Sequence, residues 1–195
     1  MIDLVRTALV YSHILLFAFS ISLVLWTDHT MLFGSCEGQA ITKISSVLKS
    51  LLIGLWISGL LVIYIDTGFS PSLVAANAKL VMKVLVVLVL TFNGILLHYI
   101  ALEILLFDGY LDKKNARLLV ISGSISTSHW LLAAFVGIAR PLKKFPISDL
   151  LVAYAGLCAC IVIVALALNG WIQNILNQQR AERKLIGMGL RGQEV

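Results

Sequence analysis

The stretch LVMKVLVVLVLTFNGILLHY, residues 80–99, decides the fold. Between Lys83 and Glu103 lie 19 uncharged residues, close to the ~20 that a helix needs to cross a hydrocarbon core about 30 Å thick. Only helices and closed barrels satisfy their own backbone inside lipid. Barrel strands alternate in polarity, and residues 84–90, VLVVLVL, do not. Valine favours strands in water, but in lipid the cost of an unpaired backbone outweighs that preference, and the segment reads as a helix.

The same measure applied to the rest of the chain finds four more spans. Arg6 and Asp28 bracket 21 uncharged residues, Lys49 and Asp66 bracket 16, Arg117 and Arg140 bracket 22, and Asp149 and Arg180 bracket 30. The predicted helices are therefore 6–27, 48–66, 80–104, 117–139 and 149–171. Lys49 can snorkel at the edge of the short second interval. Pro71, Pro141 and Pro146 all fall between spans, where a missing N–H costs nothing. Of the 195 residues, 59% are hydrophobic and 13% charged, with mean hydropathy +0.97. Soluble domains average about 45–50% apolar and about 25% charged, so a water-soluble globule is excluded. The predicted fold is an all-α polytopic membrane bundle of five helices, residues 1–171, followed by a basic tail, 172–195.

Phe33-Gly34-Ser35-Cys36 resembles a lipoprotein cleavage site, but the preceding apolar stretch is too long for a signal peptide, and Asp28 and His29 intervene. Cys158 and Cys160, two residues apart on one helix, face different directions, and no disulfide framework is implied. On five alternating spans the side with the N-terminus carries six lysines and arginines and the opposite side nine. This places the C-terminus in the cytoplasm. After Trp171, Ile172, Ile175, Leu176 and Ile186 recur near helical spacing among Arg180, Arg183 and Lys184. The pattern suits an amphipathic helix on the anionic leaflet; a partly disordered basic end fits the composition equally. The basic balance is thus explained by topology and gives no support to nucleic-acid binding.

Function is sought among the polar residues that lipid makes costly. By these boundaries no Asp or Glu lies deep in a span, which argues against cation-coupled transport. The absence of an internal repeat argues against a small-solute carrier. Histidines remain: His13 in the first helix, His98 in the third and His129 in the fourth, with His29 just past the first. His129 lies on a stripe of Ser122, Ser126, Ala133 and Gly137, and His98 on a stripe of Lys83, Val87, Thr91, Gly94 and Ala101. Small residues admit a neighbouring helix or a flat macrocycle, and Gly94, one turn before His98, leaves a gap that a porphyrin edge could fill.

Depth along the helices makes His129 the shared member of any haem-binding pair, with either His98 or His13 opposite it. Neutral imidazole suits haem iron, tuned by hydrogen bonds to its second nitrogen; Ser126 and Ser128 beside His129, and Tyr11 and Ser12 beside His13, could supply these. Lys79 and Lys83 read as snorkelling anchors or as contacts for a propionate or a quinone headgroup. Zinc lacks a close-spaced ligand pair and a carboxylate base, Ser126–His129 hydrolysis lacks an orienting acid, and the four methionines form no thioether cluster for copper.

Asn77-Ala78-Lys79-Leu80, continuing through Lys83 to Leu90-Thr91-Phe92-Asn93-Gly94 and Leu97-His98, resembles a family of small bacterial inner-membrane proteins. Ser12-His13, Asp66-Thr67-Gly68, Ser128-His129-Trp130 and Gly137-Ile138-Ala139-Arg140-Pro141 look like its other fixed points. More distantly, a first-helix histidine, Trp56-x-x-Gly59 in the second helix and a Lys-Leu opening the third are similar to the HemJ-type protoporphyrinogen oxidases and the CopD-like copper-resistance proteins. The HemJ resemblance implies haem or porphyrin contact through His13, with Lys79 or Lys83 as a further contact.

The expectation is a membrane b-type haem protein that transfers electrons, with quinone or a redox subunit as partner, using His13, His98 and His129 as candidate iron ligands and Gly94, Ser126 and Lys83 as further cofactor contacts. The alternative is a non-catalytic membrane subunit or assembly factor whose histidines are structural and whose small-residue stripes are docking surfaces. Oligomeric state, and the electron donor and acceptor, are left open by the sequence.

Overall fold

A computed structural model of the chain describes residues 1–33, 38–107 and 109–187. The chain runs through α1 (Ile2–Phe33), α2 (Gly38–Thr67), a short α3 (Pro71–Ala75) and α4 (Ala78–Leu96). A π-helical turn (Leu97–Ala101) then leads into α5 (Leu102–Leu106), followed by α6 (Lys113–Ile138), a 3₁₀ turn (Arg140–Lys144) and α7 (Ile147–Gly187). Among the described residues five helical stretches are long and apolar enough to cross a membrane, with α4, the π turn and α5 counting as one. Among the described residues there is no strand. The protein is an all-α, multi-pass membrane bundle.

Local chemistry explains several of the helix ends. Asn77 caps α4, its side chain accepting from the Leu80 N–H at 3.2 Å, and Asp112 caps α6 by accepting from the Asn115 N–H at 3.1 Å. Pro71 opens α3, where its missing N–H is harmless. After α2 the chain reverses through two left-handed residues, Gly68 (φ 57°) and Phe69 (φ 58°). That conformation is costly for phenylalanine, and the Phe69 ring packs against Tyr64 with centroids 5.4 Å apart.

The helices are longer than the charge intervals predict, because charged residues continue them outside the apolar zone. The largest difference is at the C-terminus. α7 does not stop near Trp171 to give way to a separate surface helix; it runs unbroken for 41 residues, about 60 Å at 1.5 Å per residue. Within the expected tail, Gln173, Leu176 and Arg180 are buried against the protein, which makes this stretch part of the bundle. Residues 188–195 of that tail, and Gly34, Ser35 and Cys36 of the cleavage-like motif, lie outside the described residues.

α1 and α2 form a hairpin; α1 packs against α6 and α7, and α2 meets α4 through the Trp56–Thr91 bond. The central core brings together Val24 of α1, Leu55 of α2, Leu90 of α4 and Trp130 of α6, with Phe17 on the Trp130 ring at 5.6 Å. A second core at the far end joins Ala101, Leu111, Ala116, Leu119 and Leu176. Large apolar side chains elsewhere, such as Phe19, Phe92 and Ile163, face outward, as lipid contact requires.

Candidate functional site

Each intramembrane imidazole is bonded across to, or packed against, a neighbouring helix. His13 of α1 lies 2.8 Å from Ser58 Oγ of α2 through Nδ1. The Ser58 hydroxyl donates to the Gly54 carbonyl at 2.8 Å, so His13 Nδ1 is the donor and its Nε2 has no hydrogen-bond partner among the described residues. The ring rests on the helix at Gly59, where an added Cβ would be 3.5 Å from His13 Cε1. His98 is in the π turn, and its Nδ1 meets Ser45 Oγ of α2 at 2.9 Å. His129 is fully buried on α6. Its Nδ1 lies 2.8 Å from the Ile125 carbonyl and therefore donates; in the neutral tautomer Nε2 accepts from the Tyr154 hydroxyl of α7 at 2.9 Å.

His98 and His129 sit at different depths in the bundle. Two contacts fix the register of α4 on α6: Lys79 Nζ donates to the Gly137 carbonyl at 3.0 Å, and Asn93 Nδ2 to the Ser122 carbonyl at 2.8 Å. His98 lies beyond the Asn93–Ser122 contact, and His129 lies between that contact and Lys79–Gly137. They are offset by about twelve residues, roughly 18 Å along the bundle. His13 is held in the α1–α2 seam and His129 in the α6–α7 seam, with Tyr154 on the nitrogen that iron would need. Among the described residues no three His, Cys, Asp or Glu side chains come together as a metal site. In this arrangement both ring nitrogens of His129 are bonded and His98 lies at another depth, which does not fit a haem clamped between these two.

The secondary cofactor contacts are likewise engaged elsewhere. The gap at Gly94 faces Leu52 of α2, whose Cδ2 would lie 3.9 Å from an added Cβ. The α4 stripe through Lys83, Val87, Thr91, Gly94 and His98 meets α2: besides Ser45–His98 and Leu52–Gly94, Trp56 Nε1 donates to Thr91 Oγ1 at 2.9 Å. The stripe thus docks a helix. Ser126 bonds neither nitrogen of His129, and the Ser128 hydroxyl goes back to the Ser124 carbonyl at 2.6 Å. Ser12 does the same with Ala8 at 2.9 Å. Lys83 is exposed on α4, within electrostatic range of Lys79, Lys143 and Asp66.

Several polar contacts escaped the sequence reading. Nothing in the sequence marks Tyr154 as the partner of His129. Asp28, expected at the edge of the first span, meets Thr127 in the middle of α6 and forms no ion pair among the described residues. A polar stripe on α7 holds the α5–α6 loop. Gln173 donates to the Leu111 carbonyl at 2.9 Å, and Asn177 accepts the Leu111 N–H at 2.8 Å. Arg180 donates to the carbonyls of Gly109 at 2.7 Å and Ile104 at 2.8 Å. The spacing of Gln173, Asn177 and Arg180, four and then three residues, is a single helix face and was the available signal. Beside this clamp is a cleft of about 380 Å³, lined by Glu103, Phe107, Tyr110, Asp112 and Arg180 among others, with no histidine on its wall.

No family model, curated protein or solved structure matches the chain.

Proposed function

We propose that the chain is a non-catalytic membrane component, a subunit or assembly factor of a larger membrane complex, whose intramembrane histidines brace one helix against the next. The observation that carries this reading is that His13, His98 and His129 each bond a hydroxyl on a different helix: Ser58, Ser45 and Tyr154. Interhelical bonds of this kind hold membrane bundles together where lipid offers no hydrophobic drive for helix to meet helix. The basic-residue count adds an orientation to the proposal, with the N-terminus outside and the C-terminus in the cytoplasm of the inner membrane.

A second reading, b-type haem with quinone as redox partner, draws on one feature. The His13–Ser58 bond leaves His13 Nε2 as an open lone pair, the form in which imidazole binds iron, and the HemJ-type resemblance points to the same residue. The test is to purify the full chain in detergent from haem-replete cells and record oxidised and dithionite-reduced spectra. The bracing reading expects colourless protein, with His13→Ala, His98→Ala and His129→Ala each lowering thermal stability. A Soret band with sharp reduced α and β bands, lost in His13→Ala, would give the case to haem.

A further inference from the structure

The end of the bundle that holds the N-terminus collects more positive charge than its acids neutralise. Lys79 and Lys83 lie in the first two turns of α4, and the 3₁₀ turn that packs on α4 carries Arg140 and Lys143. Arg140 and Lys143 are within electrostatic range of Lys79, and Lys79 and Lys143 within range of Lys83. The acid within reach, Asp66, is already gripped by Arg6 through two bonds of 2.6 and 3.0 Å. Lys79 is buried, its ammonium on the Gly137 carbonyl in the last turn of α6; a helix C-terminus favours a cation there. Among the described residues Lys79, Lys83, Arg140 and Lys143 form no ion pair. The fold holds them in place from two separate elements, and like charges held this way attract an anion.

The chemistry of that anion follows from its surroundings. A phosphate offers several oxygens to ammonium and guanidinium donors at once. At the same end of the bundle Phe69, Leu73, Ile138 and Phe145 are exposed, large apolar side chains placed where headgroups meet acyl chains. A soluble anion would gain nothing from them, whereas a phospholipid would lay its chains along them. We propose that Lys79, Lys83, Arg140 and Lys143 form a site for the phosphate of an anionic phospholipid. Basic pockets between membrane helices recognise such headgroups, each lysine or arginine near the surface contributing about 1 kcal/mol, a factor of about five.

The test uses the full chain in a neutral detergent and follows its thermal unfolding during titration with mixed micelles. The added lipid is phosphatidylglycerol, phosphatidylcholine or, in a third arm, inorganic phosphate without lipid. Phosphatidylglycerol is expected to raise the midpoint at lower concentration than phosphatidylcholine, and inorganic phosphate to leave it unmoved. Lys83 and Lys143 are both exposed and can be changed without opening the core. Lys83→Gln combined with Lys143→Gln should weaken the phosphatidylglycerol effect by about fivefold per lysine, while Lys113→Gln with Lys114→Gln at the opposite end leaves it intact. If the double variant does not fold, Lys143→Gln alone reads the single fivefold step. Equal response to the two lipids, an undiminished response in the lysine variants, or a matching shift with inorganic phosphate alone would overturn the proposal.

Discussion

Tyr154→Phe removes one oxygen and no packing area; because that hydroxyl also meets Cys158, the coupling with a His129 variant is what isolates the His129–Tyr154 bond. His129 is 2% exposed and its Nδ1 is committed to Ile125, which leaves Nε2 with the Tyr154 hydroxyl at 2.9 Å as its partner. Without that hydroxyl a ring nitrogen is buried unpaired, a loss of about 1–3 kcal/mol in proteins generally. Interhelical bonds measured inside membranes average about 0.6 kcal/mol and reach about 1.7. A loss of about 1–2 kcal/mol is therefore expected for Tyr154→Phe. His129→Ala should cost more, because it also empties a filled site. The assay is reversible unfolding of the full chain in mixed detergent micelles, with both single variants and the double variant. The coupling between the two sites should be about 0.6–1.7 kcal/mol. A coupling of zero, or a silent Tyr154→Phe, would refute the claim that His129 ties α6 to α7.

Arg180→Gln should release the loop between α5 and α6, because it removes charged bonds to the Gly109 and Ile104 carbonyls; the expected loss is about 2–4 kcal/mol, seen as new protease cleavage near residue 110. Trp56→Phe keeps one aromatic ring in the α2–α4 seam but deletes the bond to Thr91 and some packing, and should lower stability by at least about 0.5–1.5 kcal/mol in the same unfolding assay. At Gly59 an added Cβ would be in ordinary contact with His13 at 3.5 Å, so Gly59→Ala should be neutral or stabilise the helix by up to about 1 kcal/mol. Gly59→Phe should instead drive α1 off α2 and lower the unfolding midpoint.

The spans were legible because lipid imposes one rule on every residue: 16 to 30 uncharged positions between charges mark a crossing whatever its neighbours are. Their ends were less legible. Lys113 and Lys114 begin α6 before the expected 117 because Asp112 caps the helix there, and α7 carries Gln173, Asn177 and Arg180 onward because the α5–α6 loop supplies their partners. The stripe from Lys83 to His98 was legible as a docking face, and α2 occupies it. What occupies a stripe depends on which helix lies alongside, and that is set by long-range packing. The same limit applied to the histidines. Spacing placed all three in the membrane, but a pair level on paper is separated once Lys79–Gly137 and Asn93–Ser122 fix the α4–α6 register. Tyr154 was hidden for a related reason, since nothing near it in sequence marks it as facing His129.

The most direct measurement is the nitrogen NMR spectrum of the chain labelled with ¹⁵N-histidine in detergent. If the imidazoles brace helices, His13 and His129 give sharp diamagnetic signals of the tautomer protonated at Nδ1, and the His129 Nε2 signal shifts in Tyr154→Phe. Resonances broadened or displaced by a paramagnetic iron, or a His129 signal indifferent to Tyr154, would contradict it.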